Sequence, residues 1–262
     1  IQIDALDQSY NAFSDSIYQN LITQTRFTKY FDAIELTINT DGLGFDLTAM
    51  NTLLESEQLI DPASALSDLI ELNQYAGSSL YSLGWNGLEM MRNWSEAASS
   101  DPVLSNLLTE LNVNLAASTG TNENEIFLTG SSNDYFIALG GNDILDGGFG
   151  NDTLIGGSGN DIISGGAGSD SLFGDSGNDL YLFGRDYGSD RINERYTARG
   201  FTNGYDVVQF LPDITPLDIT ISRSSDNLRL DINDTTDRLE IVGYFTKDGI
   251  NDRAIEEIRF VR

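Results

Sequence analysis

Six aspartates between residues 134 and 179 recur at a constant interval of nine residues. They are Asp134, Asp143, Asp152, Asp161, Asp170 and Asp179, and Glu125 stands nine residues before the first of them. Carboxylates that a regular repeat stacks close together repel one another at pH 7 unless a cation lies between them. The spacing therefore predicts a row of cation sites with these acids as side-chain ligands.

The rest of the composition selects the cation. The 262-residue chain has 41 Asp or Glu, 14 Lys or Arg, and no His or Cys, so its net charge is 14 − 41 = −27. This excludes disulfides, the usual zinc sites, haem ligation through His, and Ser-His-Asp or Cys-His catalysis. Oxygen ligands alone select a hard ion, and calcium fits better than magnesium, which resists full dehydration. The acidic excess also argues against nucleic acid as a partner.

The elements that must position these acids are seven nine-residue units, which fill residues 120–182. Glycines at positions one, two and four of the clearest units allow the positive φ values of tight turns. Position eight is always apolar: Phe127, Phe136, Leu145, Leu154, Ile163, Leu172 and Tyr181. The pattern predicts a coil of parallel β-structure in which two repeats complete one turn of the coil. A solvated glycine-rich linker would have no reason to keep the apolar position.

The glycine-rich units resemble RTX repeats, the haemolysin-type calcium-binding nonapeptides of bacterial toxins, proteases, lipases and adhesins exported by type I secretion. The pattern Gly-Gly-x-Gly-x-Asp-x-apolar-x is met at 147–155, 156–164 and 165–173, and at 174–182 except that Asp175 replaces the second glycine. The resemblance implies a parallel β-roll. In it, each calcium ion is held by the position-six Asp of two stacked turns and by backbone carbonyls of their glycine-rich residues.

On this chain the resemblance implies three to six calcium ions, with pairs such as Asp143 with Asp161. The implied side-chain ligands are Asp134, Asp143, Asp152, Asp161, Asp170, Asp179, Asp190 and Glu125. The implied carbonyl ligands are Gly147, Gly148, Phe149, Gly150, Gly156, Gly157, Ser158, Gly159, Gly165, Gly166, Ala167, Gly168, Gly174 and Ser176. The first units depart from the pattern, since Glu125 replaces Asp. Asp190 follows a two-residue insertion and could close a last site with Asp170.

The N-terminal 115 residues follow a helical pattern instead. An apolar stripe between Tyr10 and Ile22, and Asp-Pro pairs at 61–62 and 101–102 that place a capping carboxylate before the first helical residue, predict helices. After the first pair runs the apolar stripe Ala65, Leu66, Leu69, Ile70 and Leu72, and Gly77 is expected to end that helix. Alternation between Ile34 and Leu47 predicts a β-hairpin. An EF-hand-like loop is the alternative there, but threonines stand where that loop needs its first acid and its last Glu.

The C-terminal residues from Tyr205 to Val261 alternate as short strands and predict a small antiparallel β-unit. Its segments resemble the haemolysin-type calcium-binding related domain that often follows RTX repeats. A coil of repeats needs a cap on its open end, which is the simplest role for this unit. Four arginines between 185 and 199 are expected to pair with nearby acids, and anion binding is the alternative.

Together these patterns predict an α+β fold of three domains: a helical domain with a hairpin at 1–115, a calcium-binding RTX parallel β-roll at 116–190 and a β-rich cap at 191–262. No apolar run approaches the roughly 18 residues of a membrane-spanning helix. The chain begins Ile1-Gln2-Ile3 without Met, as expected of a piece of a longer protein.

The predicted function is a calcium-binding module of a large secreted bacterial RTX protein of the adhesin or toxin type. It would fold on calcium outside the cell, or at the cell surface, after type I secretion. We expect calcium ions as partners, together with an extracellular protein, peptide or glycan ligand, and no enzyme activity. One alternative is a hydrolase such as a two-carboxylate glycosidase, with Glu35, Asp46 and Glu55 available. Another is ligand recognition by the helical domain, which an exposed Trp85 or Trp94 would favour.

Overall fold

The structure is a computed structural model and describes residues 25–39, 42–115, 118–194, 204–245 and 255–261. The chain forms two compact units, residues 1–111 with residue 262, and residues 112–261. The helix predicted between Tyr10 and Ile22 lies outside the described residues.

The first unit contains helices and one hairpin. Its elements are a 3₁₀ turn (Thr25–Phe27), α1 (Thr28–Phe31), β1 (Glu35–Asn39), β2 (Gly42–Asp46), α2 (Thr48–Ile60), α3 (Pro62–Ser82), α4 (Gly87–Ala98) and α5 (Pro102–Glu110). Strands β1 and β2 pair antiparallel with Leu36 opposite Phe45. The predicted hairpin is therefore confirmed.

Helices α3 and α5 begin at the predicted Asp-Pro pairs. The Asp61 side chain accepts a hydrogen bond of 3.2 Å from the Ser64 N–H, and Asp101 accepts one of 2.8 Å from the Val103 N–H. In both helices proline occupies the first position, where the backbone needs no donor. The predicted helix starts are therefore confirmed.

The buried face of α3 lies at the centre of this unit. The predicted stripe is buried with at most 2% exposed: Ala65, Leu66, Leu69, Ile70 and Leu72. We predicted that Gly77 ends the helix, and this is wrong, because Leu80 and Tyr81 continue the buried stripe. The chain leaves the helix before Gly84, which has the positive φ of 89° expected at a helix end.

The second unit is built from sixteen strands in its described residues. In chain order they are β3 (Val113–Asn114), β4 (Ile126–Leu128), β5 (Tyr135–Gly140), β6 (Ile144–Asp146), β7 (Phe149–Gly150), β8 (Thr153–Ser158), β9 (Ile162–Ser164), β10 (Ala167–Gly168), β11 (Ser171–Ser176), β12 (Leu180–Phe183), β13 (Ser189–Ile192), β14 (Val207–Phe210), β15 (Ile219–Ser224), β16 (Asn227–Ile232), β17 (Arg238–Ile241) and β18 (Glu257–Phe260). A 3₁₀ turn (Pro216–Asp218) precedes β15.

Fourteen of these strands form two seven-stranded sheets. Sheet A has the order β15-β16-β17-β13-β11-β8-β5, and sheet B has the order β18-β14-β12-β9-β6-β4-β3. Successive repeats contribute strands to the two sheets in turn, so that Leu154 of sheet A lies beside Phe136 and Leu172, each eighteen residues away. As predicted, two repeats complete one turn of this two-sheet coil (residues 113–261).

The core of the two-sheet coil is the apolar ladder at position eight. All seven residues are buried in one cluster with at most 4% exposed: Phe127, Phe136, Leu145, Leu154, Ile163, Leu172 and Tyr181. The ladder includes a contact between the two sheets, because the rings of Phe127 and Phe136 lie 5.3 Å apart. Burial of these residues holds the two sheets together and so fixes the turn that precedes each strand.

The C-terminal region differs from the predicted antiparallel unit. Among the described strands of this region, only β15, β16 and β17 pair antiparallel, whereas β13, β14, β17 and β18 extend the parallel sheets. Alternation of apolar residues indicates a strand but not its direction. Here each returning strand still buries an inward apolar residue, such as Val208, and pairs with the open edge of the sheet before it.

Candidate metal sites

The position-six acids form two ladders, one beside each sheet. The B-edge ladder precedes the strands of sheet B and contains Glu125, Asp143, Asp161 and Asp179. The A-edge ladder precedes or lies in the strands of sheet A and contains Asp134, Asp152, Asp170 and Asp190. All are buried except Asp134, which is half-buried. The repeat therefore brings together every side chain predicted as a ligand.

Each ladder is joined by one kind of hydrogen bond. The Oδ1 atom of an Asp accepts a hydrogen bond from the backbone N–H of the acid one coil earlier. On the B edge, Asp161 Oδ1 accepts from Asp143 at 2.8 Å, and Asp179 Oδ1 accepts from Asp161 at 2.8 Å. On the A edge, Asp170 Oδ1 accepts from Asp152 at 2.7 Å, and Asp190 Oδ1 accepts from Asp170 at 3.0 Å.

In seven aspartates the other carboxylate oxygen is buried without a hydrogen-bond partner in the described part of the chain. These Oδ2 atoms belong to Asp143, Asp152, Asp161, Asp170, Asp179, Asp190 and Asp206. An ionised carboxylate that is removed from water costs several kcal/mol unless a cation compensates it. Oxygen-only sites that are rich in charge fit calcium, so the residues present fit the ion that the repeats imply.

Burial also changes the pKa of these acids. It raises the pKa of Asp143, Asp152 and Asp161 to about 7 and of Asp179 and Asp190 to about 8, against the lowering effect of the ladder hydrogen bonds. Burial likewise raises the pKa of Asp170. Without a cation, the folded ladders hold protons near neutral pH, and a bound divalent cation would take their place.

Glycine is required where the turns meet the ladders. A Cβ on Gly156, at position one, would lie 2.1 Å from Asp161 Oδ2. A Cβ on Gly159, at position four with a φ of +131°, would lie 1.7 Å from the carbonyl oxygen of Gly141 in the stacked turn. The turns are thus packed against the carboxylates and against each other without room for a side chain.

Asparagines at position five also join the stacked turns, on both edges of the coil. The backbone N–H groups of Asn142 and Asn160 donate to the side-chain oxygens of Asn124 and Asn142, each at 2.8 Å, and Asn151 donates to Asn133 in the same way. We did not predict this role. The nine-residue recurrence of Asn was visible in the sequence, but Asn is also an ordinary turn residue.

Comparison with known proteins agrees with the geometry. Residues 119–154, 146–181 and 155–190 match the family model of the RTX calcium-binding nonapeptide repeat. Residues 119–190 are RTX repeats. The chain is also similar to the iron-regulated protein FrpA of Neisseria meningitidis serogroup C, with 30% identity over 263 aligned positions. The alignment covers 98% of this chain and 22% of that protein, so the chain spans less than a quarter of its relative.

The carbonyls predicted as ligands lie on the turns of the RTX repeats. Some accept hydrogen bonds between stacked turns: the Gly148 carbonyl accepts from Ala167 N–H at 2.7 Å, and the Ser176 carbonyl accepts from Gly159 N–H at 2.8 Å. A carbonyl oxygen has two lone pairs, so such a bond leaves capacity for an ion. Their role as ligands stays a prediction.

The B-edge ladder continues past the RTX repeats through residues that we did not predict, and another acid that we did not predict lies near the end of the A edge. Asp206 Oδ1 accepts from Asp179 N–H at 3.0 Å, and Glu256 accepts from Asp206 N–H at 2.7 Å. On the A edge, Asp237 accepts from the N–H groups of Asp186 and Gly188 at 3.0 and 2.9 Å, one on each oxygen. Each new acid stands directly before a parallel strand, as in the repeats.

Near this end of the B edge, Glu194 comes close to the ladder. One carboxylate oxygen from each of Asp179, Glu194 and Asp206 lies within 4.8 Å of the other two, and all three residues are buried. Glu194 accepts hydrogen bonds from the Tyr181 hydroxyl and from the Asp175 N–H. Burial raises the pKa of Glu194 to about 8.

The four arginines between residues 185 and 199 fall into two groups, one inside and one outside the described residues. Arg185 forms ion pairs with Asp213 at 3.1 Å and Asp218 at 3.5 Å, and Arg191 pairs with Glu240 at 3.2 Å. These contacts confirm pairing with acids for the first two. Arg195 and Arg199 lie outside the described residues.

The helical unit presents the candidate catalytic carboxylates on its surface. Glu35 and Asp46 are exposed register partners in the hairpin and line one open cavity of about 540 Å³ beside α2, whereas Glu55 is exposed and does not line it. Asp46 accepts a hydrogen bond of 2.8 Å from Thr48 N–H at the start of α2. Bonds from the side chain and backbone of Thr48 lower the pKa of Asp46.

Neither tryptophan is fully exposed. Trp85 is 2% exposed, and its Nε1 donates to Asn51 Oδ1 at 2.9 Å. Trp94 is half-buried. Trp85 therefore belongs to the core rather than to a recognition groove. No helix in the described ranges is long and apolar enough to cross a membrane.

Proposed function

We propose that this chain is a calcium-dependent folding module of a larger secreted protein. The observation that carries the proposal is the row of buried Oδ2 atoms on successive stacked turns that have no hydrogen-bond partner in the described residues. RTX repeats bind calcium, and these oxygens would be its side-chain ligands. The module would then form a parallel β-roll whose turns are closed by ions.

Each ion would bind between two stacked turns of one edge. The ladder hydrogen bonds define five pairs of aspartates within the repeats: Asp143 with Asp161, Asp161 with Asp179, Asp134 with Asp152, Asp152 with Asp170, and Asp170 with Asp190. A sixth ladder hydrogen bond joins Glu125 to Asp143. Calcium neutralises the two carboxylates and takes further oxygen ligands from the turns. The protein orients Oδ1 through the backbone of the previous turn, which leaves Oδ2 for the ion.

Binding of this kind is coupled to folding. Without calcium, the stacked acids and the net charge of −27 oppose the compact coil, which suits export of an unfolded chain by type I secretion. Outside the cell, sites with dissociation constants on the order of 10⁻⁴ to 10⁻³ M would fill and stabilise the folded form. The absence of Cys agrees with this route, since no disulfide has to form.

We assign the parent protein to the adhesin or toxin type of RTX protein. The chain spans less than a quarter of its relative, so the module would act within a much longer polypeptide. Its acidic surface suits an extracellular location and argues against nucleic acid as a partner. An extracellular protein, peptide or glycan would be bound by the parent protein or by the helical unit.

A calcium titration of the metal-stripped chain tests the proposal. Far-UV circular dichroism should show β-structure forming as calcium rises, with saturation in the millimolar range or below. Magnesium at the same concentration is the ionic control and should produce little change. A β-signal that is fully formed in chelator, and unchanged by calcium, would overturn the proposal.

We also propose that the module is not an enzyme. The hydrogen bonds from Thr48 lower the pKa of Asp46, whereas the general acid of a glycosidase needs a raised pKa. A glycosidase assay on soluble polysaccharides, with the calcium-loaded chain, should show no turnover. Turnover that Glu35→Gln abolishes would establish the enzyme alternative instead.

A further inference from the structure

Three carboxylates converge near the end of the B edge, whereas each pair within the repeats offers only two. Their oxygens lie within 4.8 Å of one another, and Asp179, Glu194 and Asp206 are only 1%, 2% and 1% exposed. When ionised they carry three negative charges in one buried volume. Two of the three, Glu194 and Asp206, lie outside the RTX repeats.

The position of Glu194 follows from the sheet register. Ile192 of β13 pairs with Leu172 of β11, and the Asn193 N–H donates to the Leu172 carbonyl. Two residues after these partners come Gly174 and Glu194, and Glu194 Oε2 accepts a hydrogen bond of 3.3 Å from the N–H of Asp175, the residue after Gly174. Gly174 is position one of the last RTX repeat and offers only backbone oxygen. Glu194 adds a carboxylate beside this turn.

The sequence spacing to the next ladder acid also differs from that in the repeats. Within the last repeat the chain takes 179 − 174 = 5 residues from position one to the ladder acid, but it takes 206 − 194 = 12 residues from Glu194 to Asp206. In the repeats, a side chain at position one would collide with the ladder acid, since a Cβ on Gly174 would lie 2.2 Å from Asp179 Oδ2.

All three carboxylates are oriented by donors of the protein. Asp179 Oδ1 accepts from Asp161 N–H at 2.8 Å, and Asp206 Oδ1 accepts from Asp179 N–H at 3.0 Å. The Oδ2 atoms of Asp179 and Asp206 are buried and have no hydrogen-bond partner among the described residues. These two oxygens are the second observation, besides the cluster itself, that points to a bound cation.

The third carboxylate is fixed from both sides. The buried Tyr181 hydroxyl donates to Glu194 Oε1, and the Asp175 N–H donates to Oε2 at 3.3 Å. The Tyr181 oxygen accepts in turn from Gly174 N–H at 2.6 Å. None of the Lys and Arg side chains in the described ranges forms an ion pair with the three carboxylates. The site is therefore rigid and lacks a protein counter-charge in that part of the chain.

We propose that Asp179, Glu194 and Asp206 form a three-carboxylate calcium site that binds more tightly than the sites between repeats. The affinity of a calcium site rises with the number of charged ligands and with the rigidity of the site. This cluster has three carboxylates, whereas each repeat pair has two, and hydrogen bonds hold all three in position. The inference rests on the proposed function, because it takes Asp179 as a ligand of the last repeat. It adds Glu194 as the residue that distinguishes this site.

The test is a calcium titration of the whole metal-stripped chain in competition with a chromophoric chelator, which resolves steps of different affinity. We expect one step to be about 10-fold tighter than the others. Glu194→Gln preserves the size of the side chain and removes its charge, so the tight step should join the weaker ones. Glu240→Gln is the matched control, since Glu240 lies in β17 and pairs with Arg191. It should leave all steps unchanged.

The outcomes separate this inference from the proposed function. A wild-type chain that binds no calcium contradicts both. A wild-type chain that binds calcium in one class of equal sites, or a tight step that survives Glu194→Gln, overturns the three-carboxylate site alone. Glu194→Asp keeps the charge on a shorter side chain and decides the matter if the Gln variant does not fold. Its tight step should be weaker than in the wild type, and an unchanged tight step would also overturn the site.

Discussion

Asp161 accepts a hydrogen bond of 2.8 Å from the backbone N–H of Asp143, eighteen residues earlier, through Oδ1. Its Oδ2 is buried without a hydrogen-bond partner in the described residues. One side chain thus joins two stacked turns and presents an oxygen to the space between them. The same geometry recurs along both ladders, so calcium affinity and coil stability should depend on the same residues.

Replacing Asp161 by Asn should weaken two neighbouring sites, because Asp161 pairs with both Asp143 and Asp179. The amide keeps the hydrogen-bond acceptor but loses the charge and turns a donor toward the ion. We expect the calcium concentration at the midpoint of folding, measured by circular dichroism, to rise by at least ~10-fold. Loss of a residue that only supports a metal ligand already has an effect of this size, and Asp161 would be a ligand itself. Asp226→Asn, at an exposed position, is the control and should not move the midpoint. Equal midpoints for both variants would contradict the ladder assignment.

The position-eight ladder should dominate the stability of the calcium-loaded coil. Leu154 is 0% exposed between strands of the same sheet, so Leu154→Ala should lower the free energy of unfolding by about 2–5 kcal/mol. The measurement is urea unfolding at saturating calcium. Leu217→Ala makes the same chemical change at a residue that is 91% exposed and should cost little. A small effect at Leu154 would mean that the ions, rather than the core, hold the coil.

Much of the coil could be predicted because a nine-residue period constrains every level at once. The period places Leu154 on the inward face, Asp152 directly before the strand, and Asp170 one coil later. The same period places a glycine at position four of each of the clearest repeats, which marks the turn. These features needed no knowledge of distant contacts.

The end of the coil could not be predicted, because there the period is lost. Twelve residues separate Glu194 from Asp206, and the local sequence does not show which strand a returning segment will join. The one local clue is that Asp206 stands two residues before the buried Val208, the spacing of positions six and eight. Glu194 has no such clue, since its place depends on the register of β13 against β11.

Two glycines of the repeat region should respond very differently to the same substitution. Gly159 has a φ of +131°, and a Cβ there would lie 1.7 Å from the Gly141 carbonyl oxygen, so Gly159→Ala should strain the backbone and separate the stacked turns. We expect a loss of at least about 1–3 kcal/mol in the free energy of unfolding. A Cβ on Gly130 would meet nothing within 4 Å, so Gly130→Ala serves as the control. Similar losses in both variants would argue against close stacking of the turns.

The stability of the metal-free coil should fall as the pH rises. Burial raises the pKa of Asp143, Asp152 and Asp161 to about 7 and that of Asp179 to about 8, above the ordinary value near 3.9 of an unfolded chain. A raised pKa in the folded state contributes stability that is complete below the unfolded pKa and is lost as the pH rises through the folded pKa.

The metal-stripped chain should therefore hold more β-structure at pH 5 than at pH 8. The measurement is thermal unfolding followed by far-UV circular dichroism. Saturating calcium should reverse the order, because the ion binds the deprotonated acids and competes with protons. Asp161→Asn removes one titrating group and should reduce the pH dependence of the metal-free chain. A metal-free coil that is more stable at pH 8 than at pH 5 would contradict the burial of unpaired carboxylates on which the calcium sites depend.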